Sequence, residues 1–334
     1  MATIRDVAKA AGLAISTVSA VINRSAPVSE DAIKRVHSAI DAVGYIPNGA
    51  ARSLRSGKSS LIGLLVPNVA NPIFAAVARE VEHFCFERGY TSVVFSTGQD
   101  ADRESQILKM MRMHRVAGLV IIPTRSDAAH GASLKSMIHV PTVLLDMFVE
   151  GLPFDVVKTD NVEAGRLATE HLLSLGHRRI GIIVGIPGLA TNDDRLEGYI
   201  RAYGQAGLPV DPSLIVEGLF DTDKAHEVAL SLLDRHDRPT AIVTISNLMT
   251  MGLLFALKER RMQVPHDISY VGIDDLDISR LLDPMPTVIA TPVIDMAARS
   301  IEMLLGEIEN GEAPDGKWEV WKPKLIARGS SAPI

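Results

Sequence analysis

The 334-residue chain predicts a small all-α head joined to a larger α/β body of two doubly wound parallel-sheet lobes. Three observations carry that prediction. Apolar residues recur at helical spacing through residues 1–46 with no strand-like run among them. After residue 60, short Val/Ile/Leu-rich runs alternate with helical patterns, as buried parallel strands between helices do. The alternating series then begins again after Asp160, so the body is read as two similar wound sheets in tandem.

The head opens with residues 3–23, TIRDVAKAAGLAISTVSAVIN, two short helices at a glycine turn. Ile4, Val7, Ala8 and Ala11 form one apolar face, Gly12 supplies the permissive backbone, and Val18, Val21 and Ile22 repeat the pattern on the second helix. Packing those faces together leaves Ile15, Ser16, Thr17, Ser19, Ala20 and Asn23 outward, a small neutral surface of the size that enters a major groove. An ordinary helical hairpin shows the same spacing. Ser29 then caps a third helix with Glu30 and Asp31 in its first turn; Ile33, Val36, Ile40 and Val43 are its expected buried stripe, and Gly44 ends it. Residues 48–58 carry Arg52, Arg55 and Lys58 but too little apolar surface to fold alone, and read as a conditional linker.

Charge separates head from body. Residues 1–60 hold eight Lys/Arg against four acids, whereas the remainder holds 26 against 36, so the formal −6 hides a basic head on an acidic body. That asymmetry suits a DNA-reading head on a body that does not stick to nucleic acid. Apolar residues make up 47 % and aromatics only 4 %, which predicts an aliphatic core. No apolar run reaches the roughly 18 residues of a membrane helix and no signal pattern opens the chain, so the expectation is a cytoplasmic protein without a membrane partner. The single cysteine, Cys85 between Phe84 and Phe86, reads as a buried structural thiol.

The strings TIRDVAKAAG, TVS, VIN, VS, AI, VGYIPN and ARSLRSG, in this order and spacing, resemble the headpiece and hinge of the LacI/GalR family of bacterial repressors. The resemblance continues through IGLLVPNVANPIF, GLVIIP, TDNVEAGRLATEHLLSLGHRRIG, RLEGY and ISYVGIDD, essentially the whole chain. It implies a homodimer whose headpieces read a pseudo-palindromic double-stranded operator, a hinge helix formed on that DNA, and a periplasmic-binding-protein-like body that binds a small effector, with no metal or cofactor. The implied divisions are a headpiece over 1–46, a hinge over 47–60, an N-terminal lobe over 61–159 plus 291–318, and a C-terminal lobe over 160–290 plus 319–334.

The same resemblance assigns DNA contacts to Thr3, Ile15, Ser16, Thr17, Ser19, Ala20 and Asn23, with Ile15 and Ser16 as base readers and Thr17, Ser19 and Asn23 on phosphates. Two departures stand out. Ala14 replaces the usual serine, and loss of that cap costs the recognition helix about 1 kcal/mol. Ala20 replaces a polar base reader and offers only a methyl surface. In the hinge, Leu54 takes the position of a minor-groove wedge, flanked by Arg52 and Arg55 on the backbone. Gly57-Lys58-Ser59 is not a phosphate loop, because Arg52 stands where such a loop needs glycine.

In the body, LIGLLVPN, TSVVFSTG, GLVIIPT and PTVLLDM alternate with helices near 72–88, 101–114 and 133–138. RIGIIVG, LIVEGLF, TAIVTIS and ISYVGID alternate with helices near 193–206, 223–235 and 248–261. Such sheets bind ligands beyond their strand ends. There the family pattern places Asn71, Phe74, Asp146, Arg195, Asn247 and Asp274, a set suited to the hydroxyls and ring face of a sugar-like effector; Asn71 taken alone reads as a surface-loop amide. Leu248 stands where the family usually has aspartate. No HExxH, CxxC, Gly-x-Ser-x-Gly or GxGxxG pattern is present, which argues against an enzyme. Neighbouring Asp274 and Asp275 point apart on a strand end, giving one ligand-facing and one structural carboxylate. His171 and His177 read as surface residues.

Overall fold

A computed structural model describes residues 2–23, 26–45, 59–311, 314 and 316–334, with Asn23 defined by its backbone alone. The chain forms two compact units, Met1–Ser59 and Ser60–Ile334.

In the first unit, α1 (Ile4–Ala11) begins at Thr3, whose backbone N–H and hydroxyl both donate to the Asp6 carboxylate at 2.8 Å. Those two bonds hold the Asp6 carboxyl below its ordinary range, the backbone bond contributing most. The helix ends at Gly12, whose φ of 64° is a left-handed conformation that a side chain would strain. α2 (Ile15–Asn23) follows after two residues, and α3 (Glu30–Val43) starts on the Ser29 cap and ends at Gly44. Val7, Ala8, Ala11, Val18, Val36 and Ala39 form the core. Ile33, expected inside, is 37 % exposed; the buried stripe of α3 starts one residue earlier, at Ala32, and runs through Val36 and Ala39. One residue is about 100° of helix rotation, enough to turn Ile33 outward. The hinge residues Arg52, Leu54 and Arg55 lie outside the described residues.

The second unit begins with β1 (Leu61–Val66), α4 (Pro72–Glu87), β2 (Thr91–Ser96), α5 (Ala101–Met113), β3 (Gly118–Ile121), α6 (Ala128–Met137), β4 (Thr142–Leu145) and β5 (Asp155–Thr159). It continues with α7 (Asn161–Ser174), β6 (Ile180–Val184), α8 (Ala190–Gln205), β7 (Ile215–Glu217), α9 (Thr222–Leu233), β8 (Ala241–Thr244), α10 (Asn247–Glu259), β9 (Ser269–Ile273) and β10 (Thr287–Ala290). α11 (Val293–Asn310), β11 (Trp318–Trp321) and β12 (Lys324–Ile326) complete it. Two six-stranded sheets result, ordered β11-β5-β4-β3-β1-β2 and β12-β10-β9-β8-β6-β7. The strands are parallel except where β12 runs against β10. β3, β4, β6 and β8 are buried along their whole length, which explains their unbroken aliphatic sequences.

The chain passes between the sheets at Asp160, again ahead of α11, and a third time between Trp321 and Lys324. β11 pairs with β5 over its full length, so the third passage falls after Trp321 and not at residue 318 as expected. α11 returns to the first lobe and buries Met296, Ala297, Ile301 and Leu304 in its core beside Val66, Val77 and Cys85. Burial raises the Cys85 thiol to about 11, in keeping with a packing role, although neighbouring Phe86 is 77 % exposed. His177 is not a surface residue: it is buried, with Nδ1 2.9 Å from the Thr240 hydroxyl and Nε2 3.1 Å from the Ala332 carbonyl. The C-terminal segment that covers it carries no regular element, so nothing local in the sequence signals the burial. His171, partly buried, lies 2.8 Å from the Ser331 hydroxyl in that segment.

α7 and α8 meet backbone to backbone. A Cβ on Gly165 would lie 1.9 Å from the Arg195 carbonyl oxygen, and one on Gly198 would lie 2.0 Å from that of Val162. This contact draws Arg195 against Asn161, where Nε donates 2.8 Å to Oδ1. Because the obstacle is backbone rather than a movable side chain, Gly165→Ala is expected to destabilise the body by about 3 kcal/mol or more, at the upper end of overpacking costs. Denaturant unfolding followed by far-ultraviolet circular dichroism measures this.

Candidate functional site

The C-terminal strand ends of both sheets open on one cleft. Asp146 follows β4 and Asp274 follows β9, and both adopt left-handed backbones, with φ of 66° and 78°. Each N–H still donates to the neighbouring strand, Asp146 to Val157 at 2.8 Å and Asp274 to Ile289 at 2.9 Å. The ladder is therefore kept while the chain turns sharply, a strained conformation of the kind that clusters at binding sites. Asp274 Oδ1 accepts the Thr291 hydroxyl at 2.7 Å, whereas Asp275 is held by Arg328 at 2.6 and 2.8 Å. The adjacent carboxylates thus part as expected, one to the cleft and one to a structural ion pair.

Arg195 comes from α8 and is only 4 % exposed; Nε is held by Asn161 and Nη1 by the Ile245 carbonyl. Two of its donor groups are spent on fixing its orientation. Burial pushes the Asp146 carboxyl above its ordinary range, Arg195 pulls it back, and Asp274 adds to the rise. These three are the charged side chains on the cleft wall.

The rest of the wall is largely apolar: Ile73 and Phe74 from α4, Ile122 and Met147 beyond β3 and β4, Leu189 and Phe220 from the second lobe, and Val293 from α11. The cleft is open at its mouth, and its empty space, open solvent included, is about 800 Å3. Phe220 was not legible in the sequence, where residues 214–220 read as one strand. The strand stops at Glu217, and Leu219 and Phe220 both turn left-handed at φ 55°, delivering the ring to the cleft. Thr124 and Thr291 were missed as well. Thr124 is pinned by the fully buried Glu104, which accepts its N–H at 3.1 Å and its hydroxyl at 3.0 Å. His130 Nε2 lies 2.8 Å from the same carboxylate, at ion-pair distance but without hydrogen-bond alignment.

Asn71 is no surface amide. It is 7 % exposed, caps α4 through the Ile73 N–H at 3.0 Å, and accepts Asn247 Nδ2 at 2.8 Å. That bond joins the lobes, as do Ser126 to the Gly188 carbonyl at 3.2 Å and Lys158 to Asp194 at 3.6 Å. Lys158 is itself held over the rings of Phe148 and Trp318, 5.2 and 5.8 Å from their centres. Asn247 stands apart from the other five sequence-derived cleft residues. Its amide is turned to Asn71 and to its own helix, through Leu248 N–H at 2.7 Å, while Ser246 and Leu248 form the wall in front.

On the head, α2 presents Ile15, 46 % exposed, and Ser16 at its start, with Thr17, Ser19 and Ala20 partly buried. The Ala14 carbonyl accepts the Val18 N–H at 3.1 Å, which makes Ala14 the cap residue, and its methyl leaves the first turn without a side-chain acceptor at that position. Thr3 is committed to Asp6.

Residues 3–48 match the family described as bacterial regulatory proteins, lacI family, and residues 169–331 match the periplasmic binding protein-like domain. The HTH-type transcriptional repressor PurR of Aliivibrio salmonicida is 33 % identical over 330 residues, 99 % of each chain. That of Haemophilus influenzae strain PittEE is 34 % identical over 333 residues, 99 % of this chain and 98 % of the relative. Among solved structures, a Lac repressor dimer bound to operator and the anti-inducer ONPF superposes with a TM-score of 0.87, at 25 % identity over 99 % of both chains. A transcriptional regulator CelR–cellobiose complex gives 0.72, at 28 % identity over 99 % of this chain and all of the other. These relatives are regulators rather than enzymes, and among the described residues no helix is long and apolar enough to cross a membrane. The chain belongs to the lacI family of bacterial regulatory proteins.

Proposed function

We propose that the chain is a cytoplasmic transcriptional repressor that works as a homodimer. Its paired headpieces read a pseudo-palindromic operator, and a small effector in the cleft sets their affinity. The cleft carries this reading: two carboxylates, Asp146 and Asp274, face one guanidinium, Arg195, inside apolar walls drawn from both lobes. A site of that charge balance favours ligands that donate hydrogen bonds and disfavours anions. The effector is a neutral, donor-rich ring compound, a sugar or related polyol, with hydroxyls on Asp146, Asp274 and Arg195 and a ring face on Phe74 or Phe220. Asn71 and Asn247 act together, binding lobe to lobe at the edge of the site.

In the head, Ile15 and Ser16 meet base edges, Thr17, Ser19 and Asn23 meet phosphates, and Ala20 packs on a thymine methyl. Thr3, at the start of α1, lies against the backbone. Arg52, Leu54 and Arg55 act from a hinge that folds on the operator, Leu54 as the wedge. The second copy packs on the exposed apolar side chains of the C-terminal lobe, Phe255 of α10 with Ile278 and Leu281, which are 48, 53 and 79 % exposed.

A thermal-shift panel of neutral sugars and polyols against sugar acids and sugar phosphates tests the effector class, since a ligand selective for the folded body raises its melting temperature. Neutral compounds are expected to give the shift; stabilisation by acids or phosphates alone would overturn the assignment. With the identified effector, Asp274→Asn is expected to weaken binding about tenfold to a thousandfold by calorimetry, the cost of one buried hydrogen bond to a charged group.

Asp146 gives an opposing pair of effects. Its carboxyl is raised in the folded body, so ionising it opposes folding; that cost is absent at pH below the ordinary aspartate value of about 3.9 and is reached in full above the raised value. Asp146→Asn is therefore expected to raise the melting temperature of the effector-free protein at neutral pH by a few degrees, to lose that gain near about pH 4, and to weaken effector binding throughout. Scanning calorimetry at the two pH values checks it.

A further inference from the structure

We infer that Arg35 is the residue that aims the recognition helix, acting as a clasp on the turn that leads into a helix whose cap position, Ala14, has no side-chain acceptor; this rests on the reading of α2 as the helix that meets DNA. Arg35 projects from α3 to the turn between α1 and α2, 24 positions earlier in the chain. There Nε and Nη2 both donate to the Ala11 carbonyl, at 3.1 and 2.6 Å, and Nη2 also reaches the Gly12 carbonyl at 3.3 Å. One planar group thereby fixes two successive carbonyls at the C-terminus of α1, where the helix dipole favours a cation. Asp31, one turn back on α3, lies 3.7 Å from Nη1 in an exposed ion pair.

Gly12 closes α1 with its left-handed φ, and a Cβ there would stand 2.9 Å from Arg35 Nη2, the movable end of the side chain that reaches the carbonyls.

Directional bonds add to a core that is apolar throughout. Three of the six residues of its buried cluster are alanine, with Ile4, Leu13, Val21, Ile22, Ile40, Val43 and Tyr45 partly buried against it, and apolar packing of this kind carries no directional bond. The first turn of α2 begins at Ile15, three residues beyond Gly12, on a cap residue that offers no side-chain oxygen. Its direction is thus inherited from the turn that Arg35 holds. Lysine carries the same charge but cannot chelate two carbonyls from a rigid fork.

The test uses the full-length protein. Selection from random double-stranded DNA supplies the preferred site of the parent, and binding of that site and of scrambled DNA is then measured over a range of salt for the parent, Arg35→Lys, Arg35→Met and Arg35→Lys combined with Ala14→Ser. If the parent selects no sequence, it is the reading of α2 that fails, before the clasp is examined. For a positioning residue, Arg35→Lys lowers the ratio of specific to scrambled binding at least about tenfold while affinity for scrambled DNA and its salt slope stay as in the parent, because the charge is retained. Arg35→Met loses the same ratio. Restoring a cap with Ala14→Ser recovers part of it. Hydrogen exchange on the same proteins keeps the amides of α1 and α3 protected in Arg35→Lys. A ratio within twofold of the parent in both single variants overturns the proposal, and so does loss of protection across all three helices, which would make Arg35 a residue of general stability.

Discussion

Two carboxylates and a guanidinium that share one sheltered cleft must be satisfied by groups from both lobes at once, and much of the body follows from that constraint. Parallel sheets send all their strand ends to one side, so Asp146 and Asp274 are delivered by equivalent positions, each the first residue after its strand. The left-handed turn at each position lets the backbone keep its ladder bond while the side chain leaves the sheet. Arg195, whose charge offsets the cost of burying the Asp146 carboxylate, is not free to swing. Asn161 and the Ile245 carbonyl hold it, and the glycine contact between α7 and α8 puts Asn161 within reach. Three separate passages of the chain between the sheets, with the Asn71–Asn247 bond, leave the lobes able to respond together to whatever fills the cleft.

A ligand can alter the arrangement only by as much as it prefers one lobe arrangement to another. The cleft is suited to exert such a preference because its lining is divided between the lobes: Asp146, Phe74 and Thr124 on one side, Arg195, Asp274 and Phe220 on the other. A ligand that touches both sets gains its full interaction energy only when they are in register. Glu104 keeps Thr124 in that register from behind, through two hydrogen bonds to one residue.

The parts of the fold that the sequence made legible are those set by local chemistry. Gly12, Ser29 and Gly44 mark the helix ends of the head because each does one unambiguous job at one position. The aliphatic strands are legible because both faces are covered and no alternation interrupts them. β5 and β11 are not, since DVVKT and WEVW mix charged and apolar residues in edge or near-edge strands whose pairing is set by a partner more than 150 residues away. Five of the six family-derived cleft residues do line the cleft, Asp146 and Asp274 as the first residues after their strands and Asn71, Phe74 and Arg195 from helices. Asn247 turns away because an amide at the start of a helix finds a partner in the other lobe, and Phe220 arrives through a left-handed backbone at Leu219 and Phe220, residue types that do not signal such a turn. Arg35 was read only as part of a basic head; that its charge is spent inside the headpiece depends on a contact between residues 24 apart.

Regulation by a ligand in the cleft requires that effector and operator communicate through the protein, and the coupling must be the same in both directions. The direct measurement is a closed cycle on the selected operator: operator affinity with and without saturating effector, and effector affinity with and without saturating operator. Both pairs are expected to change by one common factor, on the order of tenfold or more as allosteric couplings commonly do. Operator affinity that stays the same at saturating effector would show that the cleft and the headpiece are independent, and would contradict it.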